Sequence, residues 1–148
     1  MPRAIFFIGA ILFILICEGC DNHASEVISH ALASTNVLFQ PNLQEPITLS
    51  ASQAETVKRI VKRFNGPGVG VVKDILQHES GRFIMGKEHF GWLGRSLYFY
   101  DPKKEKYYFV EDDTLGNMAD HYFKVQGQPP LKSPSQEQWK EILSTLEK

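Results

Sequence analysis

RSLYFYDPKKEKYYFV, residues 95–110, contains the pattern that decides the fold. Two runs rich in aromatic residues, 95–100 and 106–110, flank the segment DPKK at 101–104. Aspartate at the first position and proline at the second are typical of a type I turn. Because a connection this short cannot make a crossover, the sequence predicts an antiparallel hairpin.

Helical patterns lie on both sides of this hairpin. Apolar residues recur at helical spacing in 52–64, where Ser52 and Glu55 have the spacing of a capping box. The same spacing predicts two more helices after the hairpin, at 115–123 and at 133–146. The chain is therefore expected to place one helix before its strands and two after them.

Two further strands are predicted between the first helix and the hairpin, at 69–77 and at 82–90, each next to glycine-containing turns. Every connection between these strands is short, which favours antiparallel order. The predicted fold class is α+β, an antiparallel four-stranded meander. The N-terminal helix and the two C-terminal helices are expected to pack mainly on one face of it.

The hairpin aromatics must occupy both faces of the sheet, because successive strand residues point to opposite sides. Helices can cover one face, whereas the other face must be covered by the chain ends, buried by a partner or left exposed. Two interpretations remain open: an aromatic platform that contacts sugar rings or a protein, and cross-strand pairs that only stabilise the sheet. The predicted binding surface comprises Arg95, Tyr98, Tyr100, Lys103, Lys104 and Tyr108.

The first twenty residues, MPRAIFFIGAILFILICEGC, have the order of an export signal. Arg3 precedes an apolar run at 4–17, which is shorter than the roughly 20 residues of a spanning helix and typical of a signal-peptide core. Gly19 followed by Cys20 resembles the end of bacterial lipoprotein signals, although the two residues before Gly19 depart from the usual pattern. The resemblance implies cleavage before Cys20 and attachment of lipid to it.

The resemblance implies a signal peptide at 1–19 and a lipidated Cys20. Polar composition predicts a flexible tether over 20–45, with a short helix lined by Val27, Ile28, Ala31 and Leu32 as the alternative, and one domain at 46–148, in which Ile47 and Leu49 are compatible with a short edge strand. Both cysteines of the chain lie in the leader, so the domain has no disulfide, thiol nucleophile or cysteine ligand. We expect an exported protein anchored in the membrane and facing the periplasm or the cell exterior. An uncleaved leader helix is the alternative anchor.

Charge is balanced over the chain, with a formal net charge of −1, and this gives no reason to expect nucleic-acid binding. Its distribution is uneven, because residues 58–106 are rich in lysine and arginine and the acidic run 111–113 follows. Solvated helix and strand faces explain this pattern in one interpretation. In the other, a basic face contacts anionic lipid headgroups or an anionic wall polymer.

Catalytic patterns are weak. His78 and His121 each stand next to a carboxylate, but adjacent residues on a strand or helix point apart. The sequence contains no H-E-x-x-H or G-x-S-x-G pattern, and we predict no metal and no cofactor.

Three functions are considered. The first is a membrane-tethered, non-catalytic module that binds an envelope protein or a cell-wall glycan. The second is an inhibitor or immunity-type partner of a secreted enzyme, acting through the same surface or through the acidic run 111–113. The third is a small hydrolase that uses His78, His89 or His121 with a carboxylate.

Overall fold

The computed structural model of the chain describes residues 22–70, 79–127 and 132–148. Helices and an antiparallel sheet make up these residues, which confirms the α+β class. In chain order the elements are α1 (Asn22–Ala33), β1 (Val37–Pro41), β2 (Ile47–Thr48), α2 (Ala51–Val61), β3 (Gly81–Met85), β4 (Glu88–Leu93), β5 (Ser96–Asp101), β6 (Lys106–Glu111), α3 (Asp113–Gln126), α4 (Gln136–Leu143) and a 3₁₀ turn (Ser144–Glu147). The strand order across the sheet is β2-β1-β3-β4-β5-β6.

The hairpin that the sequence predicts is present as β5 and β6. Its register runs from Ser96 opposite Glu111 to Asp101 opposite Lys106. One carboxylate oxygen of Asp101 accepts the backbone N–H groups of Lys103 at 2.9 Å and Lys104 at 3.4 Å, which closes the turn. Aspartate therefore stands where the turn needs a side-chain acceptor.

The prediction of four strands is wrong, and one reason lies in residues 82–90. This stretch is two strands, because Gly86 and Lys87 form a two-residue turn between Met85 and the Glu88 that faces it. Gly86 has a φ of +63°, a conformation that suits glycine at the first central position of a tight hairpin turn.

The second reason lies in the segment predicted as a flexible tether, and that prediction is wrong for residues 22–41. Residues 22–33 form α1, and β1 pairs with β3 over five residues inside the sheet. The side chains of Val37 and Phe39 are buried in the core. Burial of these apolar side chains, together with pairing to both β2 and β3, holds the segment in the domain.

Of the strand predicted at 69–77, residues 71–77 lie outside the described part of the chain. Val69 precedes them and forms an isolated antiparallel bridge with Tyr107 of β6. The two N–H···O bonds of this bridge are both 2.8 Å long.

The predicted helices exist, but the cap of α2 lies two residues before the predicted one. Ser50, not Ser52, caps α2, and its hydroxyl and the Gln53 side chain form the reciprocal capping box. Asp112 caps α3 through the N–H of Thr114, and Ser135 caps α4.

One face of the sheet carries the core. Large side chains from the strands meet those of helices α1 to α4 there, in clusters such as Phe39 with Trp92 and Trp139, at ring distances of 5.1–6.3 Å. None of the helices in the described residues has the length and apolar character required to cross a bilayer.

Candidate interaction surface on the open sheet face

The face of the sheet opposite the helices carries a strip of aromatic side chains from the hairpin. The register places Tyr98 opposite Phe109, and Tyr100 opposite Tyr107. Ring centroids are 5.8 Å apart in the first pair and 4.8 Å apart in the second, and 6.4 Å separate Tyr107 from Phe109. We call these four side chains the open-face strip.

Exposure is graded along the open-face strip. Tyr100 is 45% exposed, Tyr107 and Phe109 are half-buried, and Tyr98 is only 4% exposed. A ligand approaching this face would meet ring faces and edges at Tyr100 and Tyr107 first. Rings of this kind stack on apolar sugar faces and anchor protein contacts.

A buried carboxylate fixes the inner end of the strip. The Tyr98 hydroxyl donates a hydrogen bond to Oε2 of Glu79, and Arg82 Nε donates to Oε1 of the same carboxylate at 3.0 Å. Glu79 is 6% exposed, so the bonds from Tyr98 and Arg82 satisfy both of its oxygens away from bulk water.

The same arrangement holds the pKa of Tyr98 well above its ordinary value. Burial of the phenol is the main cause, and the hydrogen bond to Glu79 and the negative charge of that residue add to it. Tyr98 therefore stays neutral and acts as a hydrogen-bond donor, with no tendency to supply a phenolate nucleophile.

Glycine on the neighbouring strand makes room for this tyrosine. Gly91 of β4 stands opposite Tyr98, and a Cβ at that position would overlap the atoms of the tyrosine ring. The ring can therefore lie flat across the backbone of β4, with its hydroxyl directed at Glu79.

The residues of the predicted binding surface do not lie on one surface. Tyr98 and Tyr100 belong to the open-face strip, whereas Tyr108 points to the core and stacks on Phe99 at 5.0 Å. Arg95 lies in the turn between β4 and β5 and pairs with Asp113. It is at the opposite end of β5 from the turn residues Lys103 and Lys104.

Sequence reasoning left out Tyr107 and Phe109 as contact residues, although strand alternation combined with the hairpin register places them beside Tyr98 and Tyr100. It also missed Glu79. No local pattern marks that residue, because its partner Tyr98 is 19 residues away.

The histidines of the hydrolase hypothesis lie apart. His78 is outside the described residues, and His89 is exposed on β4. His121 Nε2 lies 3.1 Å from Glu141 and so links α3 to α4. Across the residues that the structure describes, no three His, Cys, Asp or Glu side chains lie close enough to hold a metal ion.

The connection between β1 and β2 has an unusual residue at its tip. Leu43 is fully exposed and has a φ of +58°, in the left-handed region that disfavours a branched side chain. Its neighbours fix the loop: the Asn42 amide donates to the Glu79 carbonyl, and the Gln44 amide donates to the Pro134 carbonyl at 2.8 Å.

The described site is thus a set of aromatic rings, a buried carboxylate–tyrosine–arginine network and a fixed loop with an exposed leucine. Such an arrangement can hold a partner by ring contacts and apolar burial. Comparison of the chain with protein-family models, with curated proteins and with solved structures gives no match.

Proposed function

We propose that this chain is an exported, membrane-anchored interaction module that binds a partner through the open-face strip and catalyses no reaction. The leader supports export and anchoring at Cys20 through its resemblance to lipoprotein signals. The partner class that suits an exported aromatic surface is a cell-wall glycan or an envelope protein.

A single observation carries the proposal: aromatic side chains continue across the face of the hairpin that, among the described residues, is opposite the core formed with helices α1 to α4. Tyr100 presents 45% of its surface to solvent, and Tyr107 lies 4.8 Å from it. Rigid aromatic side chains lose little conformational entropy when a partner covers them, and this makes them efficient contact residues.

The inner part of the strip supports the same function. Tyr98 donates to Glu79, which Arg82 in turn holds, so the outer rings lie beside a fixed neighbour. Pre-organisation of this kind lowers the entropic cost of binding.

A second function, inhibition or neutralisation of a secreted enzyme, is favoured by Leu43. Leucine in a left-handed conformation costs about 1 kcal/mol, and strained exposed residues often mark contact sites. The loop is fixed to Glu79 and to Pro134, so it would present Leu43 to a pocket of the enzyme with little loss of freedom.

Retention of the full-length protein on immobilised cell-wall glycan and on solubilised envelope proteins tests both proposals. Double substitution Tyr100→Ala with Tyr107→Ala should weaken retention about tenfold or more, as loss of central aromatic contacts does. Phe123→Ala is the matched control, because Phe123 is 62% exposed on α3, away from the strip. Leu43→Gly in the same series tests the loop.

Each outcome assigns the surface. Loss with the double substitution and none with the control supports the open-face strip, and the matrix that retains the protein identifies glycan or protein as the partner. Loss with Leu43→Gly alone supports the enzyme-partner function. Equal retention of all four proteins, or of none on either matrix, overturns the strip as the binding surface.

A further inference from the structure

The first helix brings the anchoring point close to one end of the sheet. Helix α1 begins at Asn22, two residues after Cys20 in the sequence. A lipid on Cys20, or an uncleaved leader, therefore holds the start of α1 at the membrane. The expected flexible tether is replaced by a helix, which restricts how the domain can be oriented.

Two clefts show which parts of the domain surround the start of α1. A cleft of about 380 Å³ lies between Ser25 and Ile28 of α1 and the residues Lys62 and Asn65 that follow α2. On the other side, a cleft of about 300 Å³ is lined by Glu26 and His30, by Lys87 in the β3–β4 turn, and by Pro102 in the β5–β6 turn.

These elements form the basic end of the domain. Five lysines and four carboxylates lie there, and the carboxylates are Glu26, Glu88, Asp101 and Glu105. Glu88 lies 3.3 Å from His30 and 4.0 Å from Lys87, and Asp101 is buried in the hairpin turn. The lysines of the basic end are Lys62, Lys87, Lys103, Lys104 and Lys106.

The opposite end of the same strands carries the acidic end, Glu111, Asp112 and Asp113. Strand β6 runs from Lys106 to Glu111, so about 17 Å separate the two ends along it. Arg63 and Arg95 pair with Asp112 and Asp113, and no such cation pairs with the exposed Glu111 among the described residues.

We propose that the basic end lies against anionic phospholipid headgroups and that the acidic end faces away from the membrane. This inference rests on the proposed membrane anchoring. The lysines are attracted to the negative surface within a Debye length of about 10 Å, and the acidic end is repelled from it. The strands then stand upright on the bilayer, and the strip runs along them from Tyr100 and Tyr107, next to the basic end, to Tyr98 and Phe109, farther from the membrane.

The same orientation places the exposed Leu43 away from the membrane. Pro41 at the end of β1 pairs with Gly81, which pairs with Trp92, and this row continues to the end of β6 that carries the acidic residues. The loop beyond Pro41 is therefore free to meet a partner in the space outside the membrane.

The full chain, produced with its leader and reconstituted into vesicles, tests the orientation. Two variants are made, each with one added cysteine: one replaces Lys103 at the basic end, and the other replaces Asn117 beside Asp113 at the acidic end. The added cysteine of each variant is labelled with a fluorophore. Quenching by nitroxides on the lipid headgroups should be at least about twofold stronger at position 103, because about 17 Å separate the ends. The parent chain without an added cysteine gives the background from Cys17 and Cys20.

Lipid charge and lysine charge are varied in the same experiment. The difference between the two positions should appear in vesicles that contain phosphatidylglycerol and shrink in pure phosphatidylcholine. The double substitution Lys62→Gln with Lys106→Gln, made in the chain labelled at position 103, should weaken quenching there and so reduce the difference as well. A difference that is independent of both changes overturns anionic lipid as the partner of the basic end.

Flotation with the vesicles separates this inference from the anchoring. If the wild type does not float, the membrane anchor is wrong and the orientation falls with it. If it floats and both labels are quenched equally, anchoring stands and the orientation is wrong. Loss of flotation in Cys20→Ser identifies lipid as the anchor, whereas its retention identifies the leader helix.

Discussion

Two faces of one hairpin use the same kind of side chain under different conditions. On the helix-covered face, Phe99 stacks on Tyr108 at 5.0 Å and contacts Phe64 and Phe90, and it is 4% exposed. On the open face, Tyr100 lies 4.8 Å from Tyr107 with 45% of its surface in solvent. The ring spacing is therefore nearly the same on the two faces, whereas the burial of the rings differs. Burial decides how far a ring stabilises the fold.

The largest effect that separates the faces is expected from truncation of a covered ring. Phe99→Ala should lower the free energy of unfolding by about 3–5 kcal/mol, since it removes buried area and leaves a cavity among Phe64, Phe90 and Tyr108. Urea unfolding of the purified protein, followed by tryptophan fluorescence, measures the change.

The matched control is Tyr100→Ala, one residue along the same strand. Its ring is half in solvent already, so we expect a cost of about 1 kcal/mol or less. Equal losses for the two variants would mean that the open face is as important to stability as the covered face, and would contradict the comparison.

A smaller effect is expected from filling the space under Tyr98. Gly91→Ala places a methyl group where the ring of Tyr98 lies, so the ring must shift away from Glu79. Overpacking of this kind costs about 1–3 kcal/mol. The shift should also weaken binding to whichever matrix retains the wild type, because it disturbs the fixed neighbour of the strip.

Two glycines provide the control for Gly91→Ala. Gly66→Ala and Gly70→Ala place their methyl groups in open space, and neither glycine has a positive φ. Stability within about 0.5 kcal/mol of the wild type is expected for both. If Gly91→Ala behaves like them, the close packing of Tyr98 over β4 is wrong.

The hairpin could be predicted because its information is local. Alternating aromatics and the turn residues at 101–104 lie within sixteen consecutive positions, and the register follows from the turn. The Gly86-Lys87 turn was equally local, yet the sequence prediction ran one strand through it. Its glycine at the first central position was the available signal.

Strand β1 and the Glu79 network could not be predicted because their partners are distant in sequence. Phe39 pairs with Phe83, 44 positions later, and its apolar run 37–39 is short and lies between Asn36 and Gln40-Pro41. So short a run does not by itself predict a strand, and long-range pairing makes it one. Likewise, nothing near Glu79 shows that Tyr98, 19 positions later, will donate to it.

The smallest expected effect concerns the hydroxyl of Tyr98 and depends on pH. At pH 7, Tyr98→Phe should cost about 1 kcal/mol, since one hydrogen bond is lost while Glu79 keeps Arg82. The pKa of Tyr98 in the folded protein is raised above its ordinary value of 10.0 by burial and by Glu79.

A raised pKa means that the folded protein holds this proton more tightly than the unfolded chain does. The stability that the protonated hydroxyl of Tyr98 contributes is therefore complete below pH 10. It is lost as the pH rises from 10 toward the pKa of Tyr98 in the folded protein. Other tyrosines and the lysines also titrate in this range, so the informative quantity is the difference in unfolding free energy between wild type and Tyr98→Phe. This difference should shrink steadily above pH 10 and stay constant from pH 7 to 9.

Tyr100→Phe, which changes an exposed hydroxyl on the same strand, should show no such trend. Parallel curves for the wild type and Tyr98→Phe would mean that the phenol is not enclosed with Glu79, and the open face would then lack its fixed inner end.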